Sequence, residues 1–372
     1  MSYALATLWH ERQRYLPGVL AVGFSALLIS LQCGLLVGLF SITSVPIDRS
    51  RAEVWMGAPG VLSVDLGRPI LEGYIARMAA NPEVERCEVY VMGFAYWCKR
   101  DGGTELCLVI GSRLGDDSLG ALKNLTPELR DRLTEPGAVV IDESDKARLG
   151  VRGVGDTAEI TGMRVRVVGF TRGLKSLAGP SVFCSVATSR PLLRLLPGQV
   201  TYVLGKCRAP GDDRVVADRL KAQYKNVSAF TKKEFSLHSR LHWLTKTKAG
   251  IALGYAAALG LLVGAVVTSQ TLYAATAASL REFAVLRALG IPRWRMAVLV
   301  MNQAFWIGVF GICLALPAVY ALAELADRLT VQIQLPWWLL AGTAGVTMVM
   351  ALGSGLLALR SLRDVEPATL LR

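Results

Sequence analysis

Residues 15–47 read YLPGVLAVGFSALLISLQCGLLVGLFSITSVPI, without one Asp, Glu, Lys or Arg. A bilayer core takes roughly 20 apolar residues in a helix, and soluble core helices rarely run so long uncharged. Three further stretches behave alike: Ala249–Leu280, Met296–Ala323 and Leu329–Leu359. A composition of 52% hydrophobic and only 19% charged residues is what four such stretches leave behind. Arg12 and Arg14 precede the first stretch as in a signal peptide. Its apolar run is too long for an h-region, and no small-x-small cleavage site follows, so it reads as a retained helix.

Four spans divide the chain. The expected partition is an amphipathic helix over 1–15, spans over 16–43, 249–276, 296–323 and 335–359, and a large domain over 44–248. A coupling segment fills 277–295, a short loop 324–334 and a tail 360–372. Arg12 and Arg14, then Arg281, Arg287, Arg293 and Arg295, then Arg360, Arg363 and Arg372 all fall on one side of a four-span chain. The positive-inside rule makes that side the cytoplasm. The 44–248 domain is then extracytoplasmic, which in a bacterium implies an inner-membrane protein with both termini inside. The chain carries a net charge of +12. The basic residues of the outside domain fit either anionic headgroups or an acidic partner nearby, or a plain solvated surface.

Leu5, Leu8 and Trp9 share one face beside Arg12, predicting a helix lying in the inner leaflet, with Pro17 and Gly18 bending the chain into the first span. The outside domain reads as α+β. Strands are expected at Val61–Val64, Val84–Trp97, Leu106–Ile110, Ala138–Ile141, Ala158–Ile160, Val165–Phe170 and Val227–Phe230. Helices are expected at Ile70–Ala80, Asp142–Leu149 and Asp212–Tyr224, and over Thr231–Lys248 running straight into the second span. Gly34 and Gly38, and likewise Gly260 and Gly264, form GxxxG pairs that allow close helix packing within the chain or in a dimer. Pro317 is placed to kink the third span.

Between the second and third spans lies ASLREFAVLRALGIPRWRM, residues 278–296. Its helix propensity runs to Leu289, and Gly290 followed by Pro292 stops it. A short helix that is apolar nearly all round must be covered by something. This stretch resembles the signature after the second span of the FtsX/MacB-type permeases of ABC transporters. There it is the coupling helix that docks on the ATPase. The closing LRSLRDVEPATLLR (359–372), and PGAVVID (136–142) with the later LGV (149–151) and GD (155–156), are similar to other segments of that family. VTSQTLY (267–273) and the chain length look most like its DevC and HrtB branches.

The resemblance implies an α-helical membrane protein with four transmembrane helices and a MacB-like α+β domain between helices 1 and 2. It implies a permease that acts as a homodimer by mechanotransmission, with Arg281, Glu282, Phe283, Val285, Leu286, Arg287, Leu289 and Gly290 contacting the ATPase. ATP and Mg²⁺ would sit on that partner and no cofactor on this chain, since Gly205-Lys206-Cys207 lacks the phosphate-cradling loop. A membrane-fusion adaptor and a TolC-like channel are implied further partners, and nucleic acid is not. With no HExxH, GxSxG or CxxC, a tethered hydrolase has nothing to support it. Nearly charge-free spans favour export of a lipid-like or amphipathic substrate. The family also contains haem exporters of the HrtB type and FtsX itself, which transmits ATPase motion to a cell-wall enzyme.

Two local readings complete the set. A two-residue turn on Gly102-Gly103 would pair Asp101 with Thr104 and bring Cys98 opposite Cys107, where a disulfide fits. Glu234, His238 and His242, at i, i+4 and i+8, would share a helix face as a metal or haem site. The same face also reads as a polar interfacial surface beside Trp243.

Overall fold

The computed structural model describes residues 12–122, 125–173, 176, 179–278, 292–328 and 333–363. They form two compact units, one of Met1–Leu39 with Ile251–Arg372 and the other of Phe40–Gly250. In chain order, α1 spans Arg12–Thr43 and α2 Val45–Arg49; β1 (Val54–Gly57), β2 (Ile70–Leu71), α3 (Ile75–Ala79), β3 (Val84–Cys98) and β4 (Thr104–Ser112) follow. Next come α4 (Pro127–Leu133), β5 (Ala138–Asp142), α5 (Lys146–Leu149), β6 (Thr157–Ile160), β7 (Met163–Thr171), β8 (Ser181–Ser185) and α6 (Val186–Leu192). The domain ends with β9 (Gln199–Val200), β10 (Tyr202–Cys207), α7 (Asp212–Gln223), β11 (Ser228–Thr231) and α8 (Lys232–Lys246). Three long helices complete the chain: α9 (Lys248–Ala278), α10 (Arg293–Arg328) and α11 (Trp337–Arg363).

Four helices are long and apolar enough to cross a membrane, over Tyr15–Thr43, Gly250–Thr271, Ala297–Ala326 and Trp337–Leu356. The sheet domain lies between the first and the second. Helix is the form such segments must take, because hydrocarbon offers peptide groups no other hydrogen-bond partner. Instead of ending at a bend, α1 is already helical at Arg12 and continues through Pro17.

The domain is built on β3. Among the described residues nine strands run in the order β11-β1-β10-β3-β4-β8-β5-β7-β6, and β6 pairs again with β3. The first half of β3 therefore belongs to an open antiparallel sheet with β10, β1 and β11. Its second half joins β4, β8, β5, β7 and β6 in a closed ring, with Trp97 opposite Ile160. Trp97, Cys107, Val139, Ile141, Ile160, Val165, Val182 and Cys184 fill one core within the ring strands. Met78, Val216 and Leu220 pack with Val54, Met56, Val89 and Val203 to cover one face of the open sheet.

A third cluster is centred on Trp55, whose ring meets Tyr90 at 5.4 Å, Tyr202 at 5.6 Å and Phe235 at 5.7 Å. All four side chains are buried. The edge-on geometry of the first two contacts suits aromatic quadrupoles. Phe235 belongs to α8, so this cluster fastens the last helix of the domain to the sheet.

The structure corrects several sequence expectations. Val61–Val64 is not a strand. The strand is Val54–Gly57, buried along its whole length and so without polar alternation. Ile70-Leu71 pairs with Val200 and Gln199 rather than opening a helix. The helix into the second span is broken at Thr247, whose φ of −96° and ψ of 145° are extended.

Truncating the central indole should test the aromatic cluster. Trp55→Ala is expected to lower domain stability by roughly 3–5 kcal/mol, read from urea unfolding followed by fluorescence. A second expectation concerns acid. Arg219 donates to both carboxylate oxygens of Glu83 at 2.6 and 2.7 Å. These bonds hold the Glu83 carboxyl at about 2, below its ordinary 4.5. A lowered folded-state pKa gives stability that is present above 4.5 and lost as the pH falls towards 2. Glu83→Gln should therefore flatten the acid limb of a stability–pH curve in that window and leave the neutral region nearly level.

Candidate functional site

The coupling residues Arg281, Glu282, Phe283, Val285, Leu286, Arg287, Leu289 and Gly290 lie outside the described residues. Their flanks are described. Helix α9 ends at Ala278, and α10 begins at Arg293 behind Pro292, whose carbonyl accepts from Arg295 N at 3.0 Å. Pro292 lacks an N–H and so suits a helix start. Trp294 is exposed there, with the Arg295 guanidinium 5.4 Å from its ring centroid.

The span glycines sit at contacts inside one chain. A Cβ on Gly260 would lie 2.8 Å from Gln32 Oε1 and 2.9 Å from Leu28, and one on Gly264 3.2 Å from Ser25. Both contacts are with α1, so this GxxxG pair is occupied within the chain. A Cβ on Gly34 would lie 2.9 Å from Ile333 and Leu335, just before α11, and Gly38 is buried. The tightest backbone crossing carries no GxxxG. A Cβ on Gly311 of α10 would sit 3.0 Å from Gly23 N and 2.7 Å from Val22. A motif within one helix cannot reveal a pair made of single glycines on two.

Hydroxyls link the spans as well. Ser25 Oγ lies 3.1 Å from both the Gly264 carbonyl and Thr268 Oγ1, Ser30 donates to Thr343 at 3.0 Å, and Ser269 and Ser354 are 2.9 Å apart. In hydrocarbon such bonds are worth roughly 0.6–2 kcal/mol each. They hold α1, α9 and α11 in register without placing charge in the bilayer.

The second candidate region is where chain enters and leaves the domain. Helix α1 stops at Thr43, and α2 follows after the single residue Ser44. On the way out, α8 starts with a capping box: Glu234 N donates to Thr231 Oγ1 and Thr231 N to Glu234 Oε2, both at 3.2 Å. Arg240, two turns on, donates from Nε to Ser44 Oγ and from Nη2 to Asp48 Oδ2, both at 2.7 Å. Ser44 Oγ itself donates to Asp48 Oδ2 at 2.7 Å. Nearer the sheet, Lys232 N donates to the Glu53 carbonyl and Lys232 Nζ to that of Ser50, both at 2.7 Å. Thr247 Oγ1 accepts from Gly250 N at 3.1 Å, capping the helix that becomes the second span. The corner is tight: a Cβ on Gly250 would fall 2.1 Å from the Trp243 carbonyl.

This arrangement corrects the metal reading. Glu234 is engaged in the capping box and lies 3.5 Å from Lys221, while His238 stacks on Phe230 with centroids 5.5 Å apart. No group of three or more His, Cys, Asp or Glu is placed to hold a metal among the described residues, and Glu234, His238 and His242 are no exception.

The disulfide expectation also fails, on register. Gly102 N donates to the Lys99 carbonyl at 3.1 Å, and Gly102 is left-handed with φ of +86°. A three-residue loop with a left-handed glycine replaces the two-residue turn. Cys98 then faces Thr104, and Cys107 faces Ala95. Residues three apart on a strand point to opposite faces. Cys107 is buried in the ring core, where burial pushes its thiol up to about 12, and both thiols are free.

Peptide mapping without reductant should find Cys98 and Cys107 alkylatable separately; a linked peptide would overturn this register. In the spans, Gly260→Val should cost roughly 1–3 kcal/mol by overpacking. Gly254→Val is the control, with nothing within 4 Å of its Cβ position. Thermal melts in detergent distinguish the two.

Residues 254–367 match the FtsX-like permease C-terminal family. No curated protein matches the chain. Among solved structures, the sheet domain is similar to the periplasmic region of MacB from Actinobacillus actinomycetemcomitans. Identity is 13% over 51% of this chain and 93% of that one, with a TM-score of 0.36. It is also similar to the extracellular domain of the noncanonic ABC-type transporter YknZ from Gram-positive bacteria, at 9% identity over 48% of this chain and 99% of that one, with a TM-score of 0.34. The matched permease segment takes in most of α9, all of α10 and α11, and the stretch of sequence between α9 and α10, so the C-terminal part of the chain, with three of its four apolar helices, is similar to FtsX-like permeases.

Proposed function

We propose that this permease is the membrane-spanning subunit of an ABC exporter of the mechanotransmission type, driven by a separate ATPase that docks on residues 280–290. The observation that carries the reading is the FtsX-like permease match across 254–367. Permeases of that family are transport subunits that work with a partner ATPase. In the sequence 280–290, Arg281 and Arg287 can pair with acidic groups on the ATPase and Glu282 with a basic one, while Phe283, Val285, Leu286 and Leu289 supply apolar area that water would not tolerate uncovered. Gly290, which carries no Cβ, would permit a tight exit towards the third span.

The arginines at both termini and beside the coupling segment orient those parts to the cytoplasm of a bacterial inner membrane and the sheet domain to the periplasm. Two copies would place two ATPases side by side. Nearly charge-free spans suit a lipid-like or amphipathic substrate gathered at the outer leaflet or periplasm. An adaptor and an outer-membrane channel are the further partners of such an exporter, and the DevC-like branch is the one this reading favours.

Glu282→Lys and Leu286→Asp test the docking surface. Each should leave membrane insertion intact and abolish both co-purification of the ATPase and its permease-stimulated ATP hydrolysis. Wild-type levels of both in either variant would show that coupling runs elsewhere. Recovery of a cell-wall hydrolase instead of an adaptor would move the assignment to a mechanotransmitter.

A further inference from the structure

Two segments carry the chain between spans and sheet, and they are stitched to each other. The inbound segment runs through Ser44, Asp48, Ser50 and Glu53; the outbound one is α8. Near the sheet the stitch is backbone to backbone, from Lys232 N to the Glu53 carbonyl. One step further out it is side chain to backbone, from Lys232 Nζ to the Ser50 carbonyl. Furthest out it is the triangle of Arg240, Ser44 and Asp48, with all three bonds at 2.7 Å. This last stitch falls on the first residue after α1 and about two turns before α8 ends.

Its chemistry is not that of a stability element. The Arg240 and Asp48 side chains are 41% and 38% exposed, and ion pairs at that exposure contribute little to folding. What the triangle adds is direction. A planar guanidinium held at two of its nitrogens fixes both the distance and the rotation of α8 against Ser44. Ser44 is fully buried, so the contact is anchored on the inbound side rather than floating at the surface. On the outbound side the extended Thr247 interrupts the helix, and no backbone helix carries motion across that point. The side-chain triangle is then the outermost element making the two segments one body.

Resting on the transporter reading above, we propose that Arg240 is a positioning residue: by clasping Ser44 and Asp48 it makes the inbound and outbound segments move together, so that nucleotide-driven displacement of the spans reaches the sheet domain.

The test uses the full-length permease with the ATPase it brings down, in nanodiscs. Spin labels go on Leu196 of the domain and Leu325 of α10, both exposed, and the distance distribution is compared with ADP and with ATP plus vanadate. Wild type should show a nucleotide-dependent shift. Arg240→Ala should lose at least half of it while its melting temperature moves by no more than about 4 °C. The reciprocal exchange of Asp48→Arg with Arg240→Asp should restore the shift, which a purely structural role would not require. Arg219→Ala, which breaks the half-buried pair with Glu83 elsewhere in the domain, should leave it intact. A wild-type shift in Arg240→Ala overturns the clasp, and so does an equal loss in Arg219→Ala. No shift in wild type overturns the mechanotransmission reading and the clasp's role with it.

Discussion

A bilayer interior gives a peptide group nothing to bond to, and the rest of this chain is arranged around that fact. Inside the four spans every backbone group must find its partner within a helix. Several of the polar groups that remain are short hydroxyls, which reach a neighbouring helix or bond back to their own turn, as Thr347 does to the Thr343 carbonyl at 2.8 Å. The sheet domain can exist only where the chain has left hydrocarbon. The two points of departure are the costly ones, because a helix end exposes unpaired amides and carbonyls. Side chains help to close both: Thr43 Oγ1 donates to the Phe40 carbonyl at 2.8 Å at the end of α1, and Thr247 Oγ1 accepts from Gly250 N at the start of α9.

Within the domain a comparable economy falls to β3. A single fifteen-residue strand serves two sheets, so the open sheet and the ring cannot tilt independently without breaking its ladder. The aromatic cluster around Trp55 then ties the outgoing helix to the same strand through Tyr90. A displacement arriving along α8 meets a stiff body, since close-packed interiors transmit strain rather than absorb it.

The spans were the most legible part of the sequence, because charge exclusion over twenty or more residues has few alternative explanations. The domain was half legible. Strands with one exposed face, such as those at Thr157–Ile160 and Met163–Thr171, announce themselves by alternation. Val54–Gly57 and Ser181–Ser185 are buried on both faces or nearly so, and a short apolar run carries no period to read. The hairpin register failed on one dihedral: Gly102 alone takes the left-handed conformation where two glycines suggested a different turn. The break at Thr247 was invisible for a similar reason. Lys246, Thr247 and Lys248 carry no Gly or Pro to announce a break, and it is the extended backbone of Thr247 and its cap bond to Gly250 that show where the helix restarts.

The closed ring has one more consequence. In a sheet whose last strand pairs back onto β3, that strand has no free row of amides and carbonyls to offer. At the other end β11 is only four residues long, too brief a template for another chain. Membrane proteins live at high density in two dimensions, where neighbours meet edge to edge far more often than in solution. Among the described residues the nine-stranded sheet offers no long edge, so the domain can crowd there with little tendency to recruit its neighbours into a shared sheet, and association with other proteins is left to side-chain surfaces, which sequence can tune.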